Sequence, residues 1–294
     1  MRSNTIAACF VLCASAVPGQ VPATPDFDRA LASSALVVIG RVVGNQVQID
    51  EQLTGAPAGR RVALVDTSRL ALHVRRPKAG MPTLMFLHRA AGGFLLAQYP
   101  GVQRRIGKTN ATVLRSLVRL LDQVRRRPSK ADGPSLIAWA SRNAEPHPDL
   151  AAACLLALAR RPDQALLLPS ASRTVLLAML RDPTCDARLR DGAARILTGS
   201  GDPAIAPTLL GLLGSGHAAG LGALAGRLLV AQKGTGAVPR LARVFDYAAP
   251  GAHAEIIRAI AATQTQAAER WLQEARRLGA TRAVQQALGF VARR

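Results

Sequence analysis

The sequence predicts two kinds of structure in succession: a small β-barrel, then an all-α solenoid of short helix pairs. Three observations carry this. Short runs rich in β-branched and aromatic residues, separated by Gly/Pro-containing stretches, fill the region from residue 35 to 99. From residue 135 onward, apolar residues recur at helical spacing in segments divided by Gly/Asp/Pro turns. Hydrophobic residues make up 49% of the chain but aromatics only 3%, so the core must be built from Ala, Leu, Val and Ile. Ala and Leu are strong helix formers, which favours helix over most of the length. The 294 residues correspond to one or two domains.

The chain opens with Met1-Arg2-Ser3-Asn4-Thr5, an apolar run over 6–13, and Ala14-Ser15-Ala16. A short positive region, a hydrophobic region and a small-x-small site read as a secretory signal peptide over 1–16, cut near Ala16. The apolar run is too short to span a bilayer. The mature chain is therefore expected to be exported, periplasmic or secreted, with no transmembrane segment. Pro18, Pro22 and Pro25 argue against a buried N-terminal helix in its place. Ile6-Ala7-Ala8-Cys9 has the letters of a lipoprotein box but leaves no room for a hydrophobic region before it.

Two cysteines, Cys9 and Cys13, fall in the signal, leaving Cys154 and Cys185. These lie about one repeat length apart and could pair in an oxidising compartment. The preferred reading is two buried thiols acting as small apolar side chains. Neither belongs to a Cys-x-x-Cys or Cys/His cluster, so no zinc is expected.

The barrel is placed at 26–108. Pro25-Asp26 starts a short helix ending near Ser33. The continuous run 35–43 has the pattern of a strand buried on both faces, and Gly44-Asn45 is a two-residue hairpin signal leading into 46–49. Further strands are expected at 61–65, 83–88 and 94–99. Five short strands in this span suggest a small closed or half-closed barrel. The strand 37–43 and the run Leu84-Met85-Phe86-Leu87 resemble the small β-barrel modules of OB and netrin-like type at the front of some exported bacterial proteins. The OB resemblance implies oligonucleotide or oligosaccharide binding through exposed aromatics, for which Phe86, Phe94 and Tyr99 are the candidates. Phe86 and Phe94 sit in apolar runs, which points to core packing instead. Netrin-like protease inhibitors carry a cysteine at the mature N-terminus. This sequence lacks it, so that activity is not carried over.

A bridging amphipathic helix and basic linker are placed at 109–130. Val113, Leu114, Leu117, Leu120, Leu121 and Val124 recur at helical spacing over 110–127, with Arg115, Arg119, Asp122 and Arg126 opposite, and Pro128 ends the helix. Arg104, Arg105, Lys108, Arg115, Arg119, Arg125, Arg126, Arg127 and Lys130 gather here as the candidate polyanion-binding patch. A solvated helix face followed by a charged linker accounts for the same residues. The formal net charge is +20, almost all of it arginine, which favours polyanionic partners or reflects composition spread over a solvated surface.

The solenoid is placed at 132–294. Its clearest stretch is Asp186-x-x-Leu189-Arg190-x-x-Ala193-x-x-Ile196-Leu197, then Gly199-Ser200-Gly201-Asp202-Pro203 and Ile205-x-x-Thr208-Leu209-Leu210. Leu189, Ala193, Ile196 and Leu197 share one helix face, and Asp202 with Pro203 is placed to start the next helix. This stretch resembles the HEAT repeat, including its bacterial lyase-like variety. A shift of 32 residues sets Ala225 on Ala193 and Leu228 on Ile196, with Gly222 in place of the arginine; Ile257-Arg258-x-x-Ala261 is a further partial copy, and 149–158 an earlier one. The resemblance implies an α-solenoid of about four helix pairs with an extended binding face. Lyase-like relatives that handle bilins leave no matching motif here.

Other motifs fail on spacing or context. Gly101 to Gly107-Lys108-Thr109 has one residue too many for a phosphate-binding loop. Gly220-Leu221-Gly222-Ala223-Leu224-Ala225 matches a dinucleotide fingerprint only by letters, and tight helix packing explains it better. Asn110-Ala111-Thr112 reads as a helix cap rather than a glycosylation site. His73, His88, His147, His217 and His253 are scattered, and no Gly-x-Ser-x-Gly elbow occurs. The expectation is an exported non-enzymatic binding or scaffold protein, using its helical surface for a protein partner in the cell envelope, with no cofactor. The alternative is binding of nucleic acid or acidic glycan through the Arg-rich surface.

Overall fold

The computed structural model describes residues 24–65, 77–97, 99, 102–107 and 109–277. The expected signal peptide, Lys108 and the last stretch of the expected solenoid lie outside the described residues.

Helix α1 (Phe27–Ser33) is started by Asp26, whose carboxylate accepts the Arg29 N–H at 3.1 Å, and it buries Phe27, Ala30 and Leu31. Six strands follow: β1 (Leu36–Val43), β2 (Gln46–Gly55), β3 (Arg61–Ala63), β4 (Thr83–Ala90), β5 (Gly93–Leu96) and β6 (Arg104–Arg105). They form a half-barrel antiparallel sheet in the order β3-β2-β1-β4-β5, with β6 also on β4. The β1–β2 turn carries Gly44 at φ +60°, a conformation open to glycine at the first turn position. Two register shifts in the β1–β2 ladder bend the sheet. Its edges approach each other where Leu64 bridges Phe94 in parallel and the Val65 N–H donates to the Phe94 carbonyl at 2.9 Å.

Strands β1 and β4 are buried on both faces, which is why their sequences run apolar without alternation. One face points into the curled sheet, where Leu36, Val38, Met85 and Leu87 meet Val47 and Leu96. The other face carries Val37, Ile39, Leu84 and Phe86 against α1, and Phe27 meets Phe86 edge-on at 5.7 Å. Strand β2 runs beyond its expected end at Ile49 to Gly55; Asp50 pairs with Arg41 of β1 at 3.4 Å, and Glu51 with Arg115 of helix α2 (Ala111–Arg126) at 2.7 Å. In α2, Leu114, Leu117, Leu121 and Val124 are buried, as the periodicity predicts, while Val113 and Leu120 are half-buried and Val118, outside the expected set, is buried. Asn110 does not cap this helix with its side chain. Its amide turns back, accepting the Gly107 N–H at 2.8 Å and donating to the Arg105 carbonyl at 3.0 Å.

The rest of the described chain is helical: α3 (Asp132–Asn143), α4 (Pro148–Ala159), α5 (Pro162–Leu166), α6 (Ser170–Arg181), α7 (Ala187–Gly199), α8 (Ile205–Gly214), α9 (Gly222–Lys233), α10 (Ala237–Tyr247), α11 (His253–Ala262) and α12 (Gln266–Arg277). Neighbours α3 and α4 pack together, as do α6 and α7; α4 then packs on α7, α8 on α10, and α9 on α11. Asp186 caps α7 by accepting the Arg188 N–H at 2.8 Å. Asp202 accepts the Ala204 N–H at 2.9 Å, yet α8 begins only at Ile205, so Pro203 stands before the helix rather than at its first position. Leu189, Ala193, Ile196 and Leu197 face the core, as their spacing predicts. One apolar core runs unbroken from α1 and the outer sheet face, through α2, to α12.

Candidate interaction surface

The structure puts most of the nominated basic residues to work holding elements together. Arg115 and Arg119 of α2 reach Glu51 of β2 at 2.7 and 3.3 Å. Arg126 pairs with Asp122 at 2.8 Å and donates to the Thr54 hydroxyl at 2.8 Å, while Arg125 lies 3.8 Å from Asp122. Arg104 pairs with Asp149 at the start of α4 at 2.5 Å. Further pairs, Arg160 with Asp26 and Arg161 with Asp28, fasten α4 to α1. These cations face carboxylates already, but Arg115 and Arg119 share Glu51 and Arg125 and Arg126 share Asp122, so each of those two groups keeps one net positive charge. Arg105, Arg127 and Lys130 are exposed and have no ion pair among the described residues.

The barrel's aromatic candidates are also occupied. Phe86 is fully buried, Phe94 packs against the inner core of the sheet, and Tyr99 lies half-buried under the Arg29 guanidinium, 5.7 Å from its ring centre. The exposed outer positions Gln46, Gln48 and Arg61 of β2 and β3 offer no ring on which a base could stack.

The two cysteines are free thiols. Cys154 is buried in α4, donates to the Leu136 carbonyl at 3.3 Å, and burial pushes its thiol well above the ordinary range. Cys185 is half-buried, and desolvation raises it as well. The glycine-rich start of α9 holds no ligand space: the Glu255 carboxylate accepts the N–H groups of Gly220 and Gly222 at 3.2 and 2.9 Å. Behind it, a Cβ at Gly222 or Gly226 would collide with the backbone of α11 at Glu255 and Ala259, so both glycines serve close helix packing. Among the described residues, no group of three or more His, Cys, Asp and Glu could hold a metal ion, and no helix is long and apolar enough to cross a membrane.

Among the described residues, a shallow groove of about 570 Å³ lies between α8 and α10, lined by Leu210, Gly214, Arg240, Arg243, Val244, Tyr247 and Ala248. Gly214 of α8 borders it, and a side chain there would enter its space, the Cβ standing 3.5 Å from Val244. Val244 and Leu210 are half-buried at its base. Arg240 and Arg243 are exposed, with no ion pair among the described residues, and Tyr247 is 90% exposed. So open a ring takes almost no part in the packing of α10. Sequence reasoning passed over these residues. The signal was present in the spacing of Arg240, Arg243 and Tyr247 along one face of α10 and in Gly214, four residues after Leu210 on α8.

No protein-family model, curated protein or solved structure matches the chain.

Proposed function

We propose that the chain is an exported, non-enzymatic binding protein that engages a protein partner through the surface of its helical half. The observation that carries this is the α8–α10 groove, which joins two unpaired arginines and an open tyrosine to an apolar floor, while the barrel's aromatics and five of the bridge's cations have internal partners. The helices support an α-solenoid reading of HEAT kind: α4 on α7 and α9 on α11 make one row, α8 on α10 part of another. The strand order, with its parallel bridge between the ends of β3 and β5, supports an OB-like barrel in front of it. In this reading the barrel, packed through α1 and α2, anchors the first helices and leaves binding to the array. Fold alone implies no activity, so the claim rests on the surface.

A photo-reactive phenylalanine analogue placed at Tyr247, and separately at the exposed Gln48 of β2, tests it in the full chain in the cell envelope. One protein adduct from position 247, absent from position 48, is the expected result. Adducts at neither position, or at 48 alone, count against the reading.

A second reading, polyanion binding, draws on the exposed Arg105, Arg127 and Lys130 and the net charge of +20. Its mark is binding of nucleic acid or acidic glycan that weakens steeply with salt.

A further inference from the structure

We infer that the α8–α10 groove receives an acidic segment of the partner protein, anchored by an aliphatic side chain on the groove floor. This deepens the reading above and rests on it. The groove couples two uncompensated guanidiniums, Arg240 and Arg243, to an apolar floor of Leu210, Val244 and Ala248 and to the open face of Tyr247. On a helix, residues at 240, 243 and 247 form one strip about 10 Å long, at roughly 1.5 Å per residue. A carboxylate-bearing chain laid along that strip meets both cations, while its apolar side chain enters the space that Gly214 leaves open.

Charge decides against the chain itself as occupant. Residues 1–23 contain Arg2 and neither Asp nor Glu; residues 278–294 contain Arg282, Arg293 and Arg294 and again no acid; residues 66–76 set Asp66 against Arg69, Arg75 and Arg76. Each of these segments is cationic and would be repelled by Arg240 and Arg243. A second copy, at +20, is repelled as a whole. A nucleic acid fits less well than a protein segment. It asks for a continuous cationic track and successive stacking rings, whereas this strip holds one ring, an aliphatic floor, and the exposed carboxylate of Asp246 beside Tyr247.

The test uses the full chain and three fluorescein-labelled probes: a peptide alternating Glu and Leu, the same peptide with Ser for Leu, and a thymidine oligonucleotide. The Glu/Leu peptide is expected to bind, and the Glu/Ser peptide to bind at least tenfold more weakly. Arg240→Glu with Arg243→Glu reverses the charge at exposed positions and is expected to lower Glu/Leu affinity at least tenfold. Gly214→Leu fills the groove from a site where a Cβ would stand at an ordinary 3.5 Å from Val244, so folding tolerates it, and it is expected to weaken the same peptide equally. Equal binding of the two peptides, insensitivity to Gly214→Leu, or an oligonucleotide bound more tightly than the Glu/Leu peptide each overturns the inference. If the peptides fail while position 247 still cross-links to a protein, the acidic-segment assignment falls and the binding reading stands. If both fail, both fall.

Discussion

Asp186 accepts the Arg188 N–H at 2.8 Å and two bonds from the Arg188 guanidinium, at 2.8 and 3.0 Å. The Arg188 side chain, foremost among these partners, holds its carboxyl below the ordinary value of 3.8. A depressed carboxylate stabilises the fold fully above its unfolded pKa and loses that contribution as pH falls through the folded one. Asp186→Ala is therefore expected to lower stability at neutral pH by about 1 kcal/mol, the usual worth of an N-cap. The gap in urea midpoint between variant and wild type should close on acidification below about pH 3.8. Asp186 entered the sequence reading only as part of the repeat pattern and not as a cap, although its capping bond reaches just two residues along the chain. Arg190 was not legible as a buried cation, although the repeat pattern includes it. It is 3% exposed, and its guanidinium donates to the carbonyls of Leu180, at 3.1 Å, and of His217. Burial lowers its pKa, and no carboxylate bonds to it to offset that. Those acceptors are backbone atoms on other elements, and a sequence shows nothing of where they arrive.

Helices α9 and α11 meet backbone to backbone, and the glycines at 222 and 226 make that approach possible. Gly226→Ala should force the pair apart and cost about 1–3 kcal/mol, the range for overpacking a tight interior. Gly211→Ala, on the open face of α8, should instead add up to about 1 kcal/mol of helix propensity. Thermal or urea unfolding of the two variants checks both signs, and a neutral Gly226→Ala contradicts the close packing. At this scale the strands β1 and β4 and the helix α2 were the most legible elements, since long apolar patterns leave few alternatives. The far half of β2 was hidden by its polar residues: Glu51 and Thr54 find partners more than sixty positions away on α2. Strand β6, two residues long, has no period to read. The groove was hidden for a related reason: it is made by what α8 lacks, opposite residues on α10.

The expected division into a barrel, a bridge and a helical array describes the order of elements well and their packing less well. The half-barrel, α1, α2 and α4 share one interior, tied further by Arg104–Asp149, Arg160–Asp26 and Arg161–Asp28. The Trp139 indole of α3 also donates to the Ser116 hydroxyl of α2 at 3.0 Å. Helix α12, at the other end of the described array, buries only Ala268 and Leu272. Native-state hydrogen exchange should accordingly find β1, β4 and α4 opening together and most slowly, with α12 the first helix to exchange. Protection of α12 equal to that of α4 would contradict this gradient.

The double burial of β1 and β4 also limits how the gene can be divided for expression. A fragment ending after Arg105 would lose the helices beyond the sheet and leave much of the face bearing Val37, Ile39, Leu84 and Phe86 open to water. Such a product invites self-association rather than solubility. A cut after α4 would in turn open the face of α4 that packs on α7, so a portion meant to stand by itself continues at least through α7. Trimming from the far end, helix by helix, is the gentler direction.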